Sequence, residues 1–156
     1  MENYCLNNGI KKLYSPPYNP QNNGIAERFN YTLESCIKAI LNTSQLDYRL
    51  WEFAAKYANH LDNITPHKGI SNNIPDEVFF DKPVNLKYIR IFGCIAYYKD
   101  FSQNKKKFDG NGKKGVFLGF NFDTNCYIIM DYYNFKIHLV REVVFNEESP
   151  CKIIRI

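Results

Sequence analysis

The sequence predicts an α+β chain, with a helical first half followed by a small all-β barrel or meander. Two observations support this prediction. Up to about residue 82, apolar residues recur at steps of three and four, which is the spacing of one face of an α-helix. After about residue 85 the apolar period changes to two, and β-branched and aromatic residues become more frequent. We therefore expect domains over residues 1–82 and 83–148, followed by a tail over residues 149–156.

The first predicted elements precede a proline-rich segment. A short helix is predicted over residues 2–8, with Gly9 as its C-terminal cap, and a short strand over residues 10–14. Three prolines between Pro16 and Pro20 fix the backbone and remove hydrogen-bond donors. This segment must therefore be a loop.

Three further helices are predicted, over residues 23–42, 48–61 and 74–80, the last with a proline in its first turn. In the second of these helices we expect Trp51 to lie in the core. The apolar stripe of the first and longest helix consists of Ile25, Phe29, Leu33, Cys36, Ile37, Ile40 and Leu41.

Five strands are predicted in the second half, separated by turns that contain Gly or Asn. They cover residues 89–99, 114–121, 125–131, 134–140 and 142–146. We expect Phe92, Phe117 and Phe120 to fill the interior of the barrel, and Gly93 to allow a tight turn or close packing.

Composition excludes several classes of protein. The 156 residues are 45% hydrophobic and 23% charged, which is too apolar for a disordered chain. No apolar run has the length of a transmembrane helix, and the N-terminus lacks the features of a signal peptide. Five cysteines without a CxxC pair indicate free thiols, and no zinc site is expected. We expect a protein of the nucleus or cytoplasm that does not interact with membranes.

The net charge of +4 comes from one short segment. Residues 104–114 contain five lysines and one aspartate, so that the remainder of the chain is neutral. Such a segment can attract phosphate groups, or it can be a solvated surface loop. The lysines are Lys105, Lys106, Lys107, Lys113 and Lys114.

Glu27 is the candidate for chemistry, because it lies in the first turn of the longest predicted helix, behind a loop rich in Pro and Asn. The positive end of the helix dipole keeps a carboxylate there ionised, and the face opposite the apolar stripe is exposed and can reach a metal ion. The position alone is not specific, because most first-turn glutamates interact only with the helix dipole.

The residues around Glu27 resemble the end of the catalytic core of retroviral and retrotransposon integrases, where a Pro-x-x-x-Gly-x-x-Glu turn leads into a helix. The closer resemblance is to copia-type LTR retrotransposons, whose pattern Pro-Gln-x-Asn-Gly-x-Ala-Glu-Arg-x-Asn matches residues 20–30. Collinear segments similar to that family follow along nearly the whole chain: LWEFA at 50–54, IPDEVF at 74–79, RIFGCIAY at 90–97, GVFLGF at 115–120 and REVVF at 141–145.

The resemblance implies the helical C-terminal part of a ribonuclease-H-like integrase core, followed by a small barrel of the Src-homology-3 (SH3) type. Integrases of this family transfer DNA strands with two divalent metal ions, Mg²⁺ or Mn²⁺, held by two aspartates and one glutamate. Glu27 matches the glutamate. No aspartate lies between Met1 and Glu27, and in the family both aspartates precede the segment equivalent to Met1–Cys5. We therefore expect a fragment that is not catalytic alone and does not bind the metal ions stably.

The resemblance also implies contacts with DNA. The residues that match the family's active-site loop and the helix that faces DNA are Tyr18, Asn19, Gln21, Arg28, Asn30 and Lys38. An ordinary turn and a solvated helix face remain alternatives for them. The expected partners are DNA without sequence preference, other parts of a Pol polyprotein, and further copies of the chain. Two other interpretations remain: a nucleic-acid-binding or polyprotein-packing module, and a non-functional relic of a transposable element.

Overall fold

A computed structural model of the chain describes residues 2–11, 23–99 and 112–150. The chain divides into two compact units, residues 1–32 and 33–156. The predicted limits 1–82 and 83–148 do not follow this division, and as an assignment of domains they stay a prediction.

The first unit contains helix α1 (Glu2–Asn7) and the beginning of helix α2 (Gly24–Ser44). Gly9 ends α1 as predicted: it has a φ of +66°, and the next residue, Ile10, donates its N–H to the carbonyl of Cys5 at 2.8 Å. This is the hydrogen-bond pattern of a Schellman motif. The strand predicted over 10–14 is not formed at residues 10 and 11, and its remainder lies outside the described residues.

The second unit contains the rest of α2, helix α3 (Trp51–Asn63) and helix α4 (Pro75–Phe80). A single 3₁₀ turn over Tyr48–Leu50 precedes α3, and the Asp47 side chain caps it by accepting a hydrogen bond from the Arg49 N–H at 2.8 Å. All three predicted helices of this region are therefore present, with boundaries shifted by a few residues. None of the helices in the described part of the chain is long and apolar enough to cross a membrane.

Five strands form one antiparallel sheet in the order β4-β3-β2-β1-β5. They are β1 (Cys94–Lys99), β2 (Gly112–Asn121), β3 (Cys126–Asp131), β4 (Ile137–Val140) and β5 (Val143–Pro150). The α+β class and the five predicted strands are confirmed. The last strand is longer than predicted, since β5 continues four residues beyond its predicted end at residue 146.

The predicted start of the first strand at residue 89 is wrong, because β1 begins at Cys94. Gly93 is the reason. Its φ is +80°, which interrupts an extended backbone, and its N–H donates to the carbonyl of Phe117 in β2 at 2.8 Å. A Cβ atom at Gly93 would lie 2.5 Å from the Cβ of Ser44, so α2 ends against this turn. The prediction that Gly93 permits a turn and close packing is confirmed.

The helices and the sheet of the second unit share one hydrophobic core. Tyr57 of α3 is central to it, with its ring centroid 5.6 Å from that of Phe92 and 5.8 Å from that of Phe117. Burial raises the pKa of Tyr57, and its hydroxyl donates to the backbone carbonyl of Arg90. The fully buried side chains of this core include Leu41, Val116, Phe117, Leu118 and Ile129.

One prediction about burial is wrong. Trp51 is 60% exposed, because Phe53, Ala54 and Tyr57 form the face of α3 that packs in the core. The predicted apolar stripe of α2 is buried only toward its C-terminal end, among the described residues. There Leu41 is 1% exposed, whereas Ile25 in the first turn is 91% exposed. Phe92 and Phe117 are buried as predicted, and Phe120 is half-buried.

Candidate nucleic-acid interface

Glu27 is exposed in the first turn of α2, where sequence analysis placed it. Arg28 and Asn30 are exposed in the same helix. Tyr18, Asn19 and Gln21, which match the family's active-site loop, lie outside the described residues. The predicted catalytic and DNA-contacting roles of this region stay predictions.

The described residues do not fit a metal centre. No group of three His, Cys, Asp or Glu side chains in the described part of the chain is placed to hold a metal ion. A two-metal site needs several converging oxygen ligands, because each divalent ion takes about six ligands. A single exposed carboxylate at Glu27 cannot provide them.

Lys38 is exposed on α2 and forms an ion pair with Glu34, one turn earlier, at 2.5 Å. The hydrogen bond and the charge of Lys38 hold the pKa of Glu34 below its ordinary value. A phosphate group that binds Lys38 would therefore compete with this carboxylate.

Of the five lysines in residues 104–114, the two in the described part of the chain lie on opposite faces of the sheet. Lys105, Lys106 and Lys107 lie outside the described residues, whereas Lys113 and Lys114 are half-buried neighbours on β2. Successive side chains of a strand point to opposite faces. The register agrees, because Lys113 pairs with the buried Tyr98 and Lys114 pairs with the exposed Tyr97.

Lys113 lies on the same face as a buried carboxylate, that of Asp131. The Asp131 side chain accepts the N–H groups of Tyr133 and Asn134 at 2.9 and 3.1 Å and the hydroxyl of Tyr98 at 2.8 Å. Burial alone would raise the pKa of Asp131, but these three hydrogen bonds and the charge of Lys113 outweigh it and lower that pKa. The charge of Lys113 thus partly serves to stabilise the ionised Asp131 within the protein.

Lys114 lies on the other face, where its Nζ is 4.2 Å from the centroid of the Tyr132 ring. Tyr132 follows directly after β3, the neighbouring strand, and its N–H donates to the Lys114 carbonyl at 3.1 Å. The ring of Tyr133 is in turn in edge contact with that of Tyr132, with a centroid distance of 5.4 Å. The Lys114 cation, the half-buried ring of Tyr132 and the exposed ring of Tyr133 therefore lie side by side at this end of the sheet.

No sequence pattern predicts a role for Tyr97, Tyr132, Tyr133 or Asp131. The alternation of β1 could have placed Tyr97 on the face opposite Tyr98. The pairing of Tyr98 with Asp131, which are 33 residues apart, has no signal in a single sequence.

The second unit also has an open apolar groove of about 450 Å³ between the C-terminal part of α2, α3 and residues 89–92. Its walls include Ala39, Ile40, Leu61, Ile91 and Phe92. At the rim, the guanidinium of Arg90 lies 3.8 Å from Glu147 and 5.3 Å from the centroid of the Phe145 ring.

Comparison with known protein families identifies the sheet. Residues 94–153 match the family model of the retroviral polymerase SH3-like domain. This match covers all five strands.

Comparison with individual proteins extends the similarity to the helices. The chain is 30% identical over 148 residues, 95% of its length, to the retrovirus-related Pol polyprotein from transposon TNT 1-94 of Nicotiana tabacum. It is 27% identical over 92% of its length to the Pol polyprotein from transposon RE1 of Arabidopsis thaliana. It is also 31% identical over 90 residues to an uncharacterized mitochondrial protein of Arabidopsis thaliana, of which it covers 75%.

The chain spans only 11% and 10% of the two Pol polyproteins, so it corresponds to a small part of each. The similarity to them extends over helices and sheet alike, in agreement with the collinear motifs of the sequence. On this similarity and the SH3-like domain together, the chain is identified as related to a segment of retrotransposon Pol polyproteins.

Proposed function

We propose that the chain is an integrase segment of such a polyprotein, in which α2 provides the family's metal-binding glutamate and the SH3-like domain binds DNA. The observation that supports this proposal is the extent of the similarity to the tobacco Pol polyprotein. Because the alignment extends over 148 of the 156 residues, it must include Glu27 and the start of α2. We expect the protein in the nucleus or the cytoplasm.

The proposal requires carboxylates that the described residues do not bring together. We expect the purified chain to show no strand transfer with Mg²⁺ or Mn²⁺ and no stable binding of either ion, because one carboxylate cannot hold two metal ions. The reaction would need the two aspartates from another part of the polyprotein.

A chimaera tests the proposed role of Glu27. The part of the tobacco polyprotein that precedes the matched region is fused before Met1, and strand transfer into a plasmid is measured with Mg²⁺. We expect activity in the chimaera, loss of activity with Glu27→Gln and full activity with Glu2→Gln. Glu2 is the matched control, since it is also an exposed glutamate in the first turn of a helix. Equal activities of the two variants would contradict the assignment of Glu27.

We also propose that the chain self-associates through the exposed apolar residues of α2. Ile25 and Phe29 are the residues concerned, and both belong to the exposed part of the predicted stripe. Multi-angle light scattering should show a mass that rises with concentration in the wild type and stays monomeric when both residues are replaced by glutamate. A concentration-independent monomer mass for the wild type would refute this proposal.

A polyprotein-packing module is the second candidate function, favoured by the apolar groove beside α3. If packing against another part of the polyprotein is the function, Ile40→Glu should prevent association with that part and leave DNA binding intact. Because the DNA-binding residues lie elsewhere, the two functions can be tested separately.

A further inference from the structure

We propose that the face of the sheet around Lys114 is a binding platform for single-stranded nucleic acid, on which bases stack on tyrosine rings and a phosphate binds the lysine. The inference rests on the proposed function, because it names the form of nucleic acid that the SH3-like domain would bind. It concerns a row of four residues on neighbouring strands and the adjoining turn: Tyr97, Lys114, Tyr132 and Tyr133, called here the Tyr97–Tyr133 row.

The row is continuous across the sheet. Tyr97 of β1 pairs directly with Lys114 of β2, so the two side chains lie on one face with Cβ atoms about 5 Å apart. On the other side of Lys114, its ammonium group lies over the ring of Tyr132, which contacts Tyr133. Aromatic rings therefore flank a positive charge on both sides.

The row is accessible. Tyr97 is 45% exposed and Tyr133 is 78% exposed. These are the two outer members of the row, and they present ring surface to solvent on either side of Lys114. Neither ring belongs to the core of the described part of the chain, and the same face of β1 and β2 becomes part of that core two residues away, at Ile95 and Val116.

The row is also held in place. Asp131 fixes the turn that contains Tyr132 and Tyr133, because it accepts the backbone N–H groups of Tyr133 and Asn134. Tyr97 and Lys114 are fixed by the ladder between β1 and β2. A prearranged surface loses less entropy on binding than a flexible one.

Alternating aromatic rings and positive charge are the chemistry that recognises an unpaired strand. Every base has a π-face that can stack on an aromatic side chain, whereas in a duplex those faces are covered by neighbouring base pairs. The bare duplex offers only its phosphates to this row. The neighbouring carboxylate, Asp131, lies on the opposite face of the sheet and is engaged by its own hydrogen bonds, so it does not repel a phosphate at Lys114.

The test uses the full chain and fluorescein-labelled oligonucleotides of 12 nucleotides, with affinity measured by fluorescence anisotropy at low salt. Three probes are compared: single-stranded oligo(dT), an abasic strand with the same phosphates, and a duplex of the same length. We expect oligo(dT) to bind most tightly, because stacking of one base changes affinity by about 5-fold to 150-fold. Equal affinities of the wild-type protein for oligo(dT) and the abasic strand would overturn the inference, and this comparison needs no variant.

Variants assign the effect to the row. Tyr97→Leu and Tyr133→Leu should each weaken binding of oligo(dT) by about 5-fold or more, and Tyr97→Phe should retain wild-type affinity because it keeps the ring. Lys114→Gln should reduce the log–log salt slope for oligo(dT) by about 0.7, whereas Lys68→Gln, an exposed lysine outside the sheet, should leave affinity unchanged. All variants retain residues 100–111, so Lys105, Lys106 and Lys107 contribute equally to each.

The outcomes separate this inference from the proposed function. If the wild type binds duplex and single strand with equal affinity, and the tyrosine variants bind as the wild type does, the platform is refuted while DNA binding by the domain stands. If the wild type binds none of the three probes at low salt, the proposed DNA binding fails together with the platform. Thermal unfolding of each variant shows whether a loss of affinity results from loss of the fold. If it does, the comparison of oligo(dT) with the abasic strand on the wild-type protein tests the platform.

Discussion

Replacement of Gly93 by alanine should destabilise the second unit by about 2–5 kcal/mol. Two effects contribute. The φ of +80° costs an L-residue about 1–2 kcal/mol. The added methyl group would lie 2.5 Å from the Cβ of Ser44 and 3.3 Å from Leu46, and such overpacking typically costs about 1–3 kcal/mol. Because domains are stable by only about 5–15 kcal/mol, this is a large fraction of the total.

Urea unfolding measures the change, with two probes. Circular dichroism reports on helices and sheet, and the fluorescence of Trp51, the single tryptophan, reports on α3. Gly112→Ala is the control, since no atom of the described residues other than Gly112 itself and its chain neighbours lies within 4 Å of the place that its methyl group would take. The free energy of unfolding of this control should change by less than about 1 kcal/mol.

A second substitution tests the steric part of the reasoning. Ser44→Gly removes the Cβ atom that the new methyl group meets, so Gly93→Ala should cost less in that background than in the wild type. An equal cost in the two backgrounds would refute the proposed collision and leave only the backbone effect.

Three further predictions concern the stability of the second unit and the charge of residues 104–114. Asp131→Asn should reduce the loss of the free energy of unfolding at acid pH. Because the pKa of Asp131 is lowered in the folded protein, its carboxylate stabilises the fold at neutral pH, and this stabilisation is lost as the pH falls below about 4. Urea unfolding at several pH values measures the effect. Residues 84–156 alone should unfold at lower urea than residues 33–156, because the sheet then loses Leu41, Ala54 and Tyr57 from its core, and equal midpoints would contradict a shared core. For duplex DNA we expect a log–log salt slope of about −3 to −4.5, and replacement of all five lysines of residues 104–114 by Gln should remove most of it. An unchanged slope in an anisotropy titration would mean that these lysines do not contact the phosphates. They are Lys105, Lys106, Lys107, Lys113 and Lys114.

Much of the fold could be predicted from the sequence because periodicity depends on local geometry. The change from helical to alternating spacing located the helices and the five strands, and Gly9 was recognisable as a cap. The start of β1 could not be predicted, since residues 89–92 alternate as a strand does and only the left-handed turn at Gly93, close against Ser44, ends that alternation. The exposure of Trp51 likewise depends on which face of α3 meets the sheet.

The candidate site could be predicted in part. The lysines of residues 104–114 were evident from charge alone, but the placement of Lys113 and Lys114 on two faces requires the register of β1 and β2. The environment of Asp131 requires contacts between residues far apart in the chain. The role of Glu27 was suggested by a motif, and no contact among the described residues adds to it.

The turn at Gly93 has a consequence for how this segment can vary. The hydrogen bond from the Gly93 N–H to Phe117 anchors the chain one residue before β1 begins. Inserting or deleting one residue directly after Gly93 would therefore shift the phase of β1 and exchange its two faces, so that Tyr98 would face solvent and Tyr97 the interior. Length changes in this segment should consequently occur before Gly93, and related chains should keep a constant distance from this glycine to the strand.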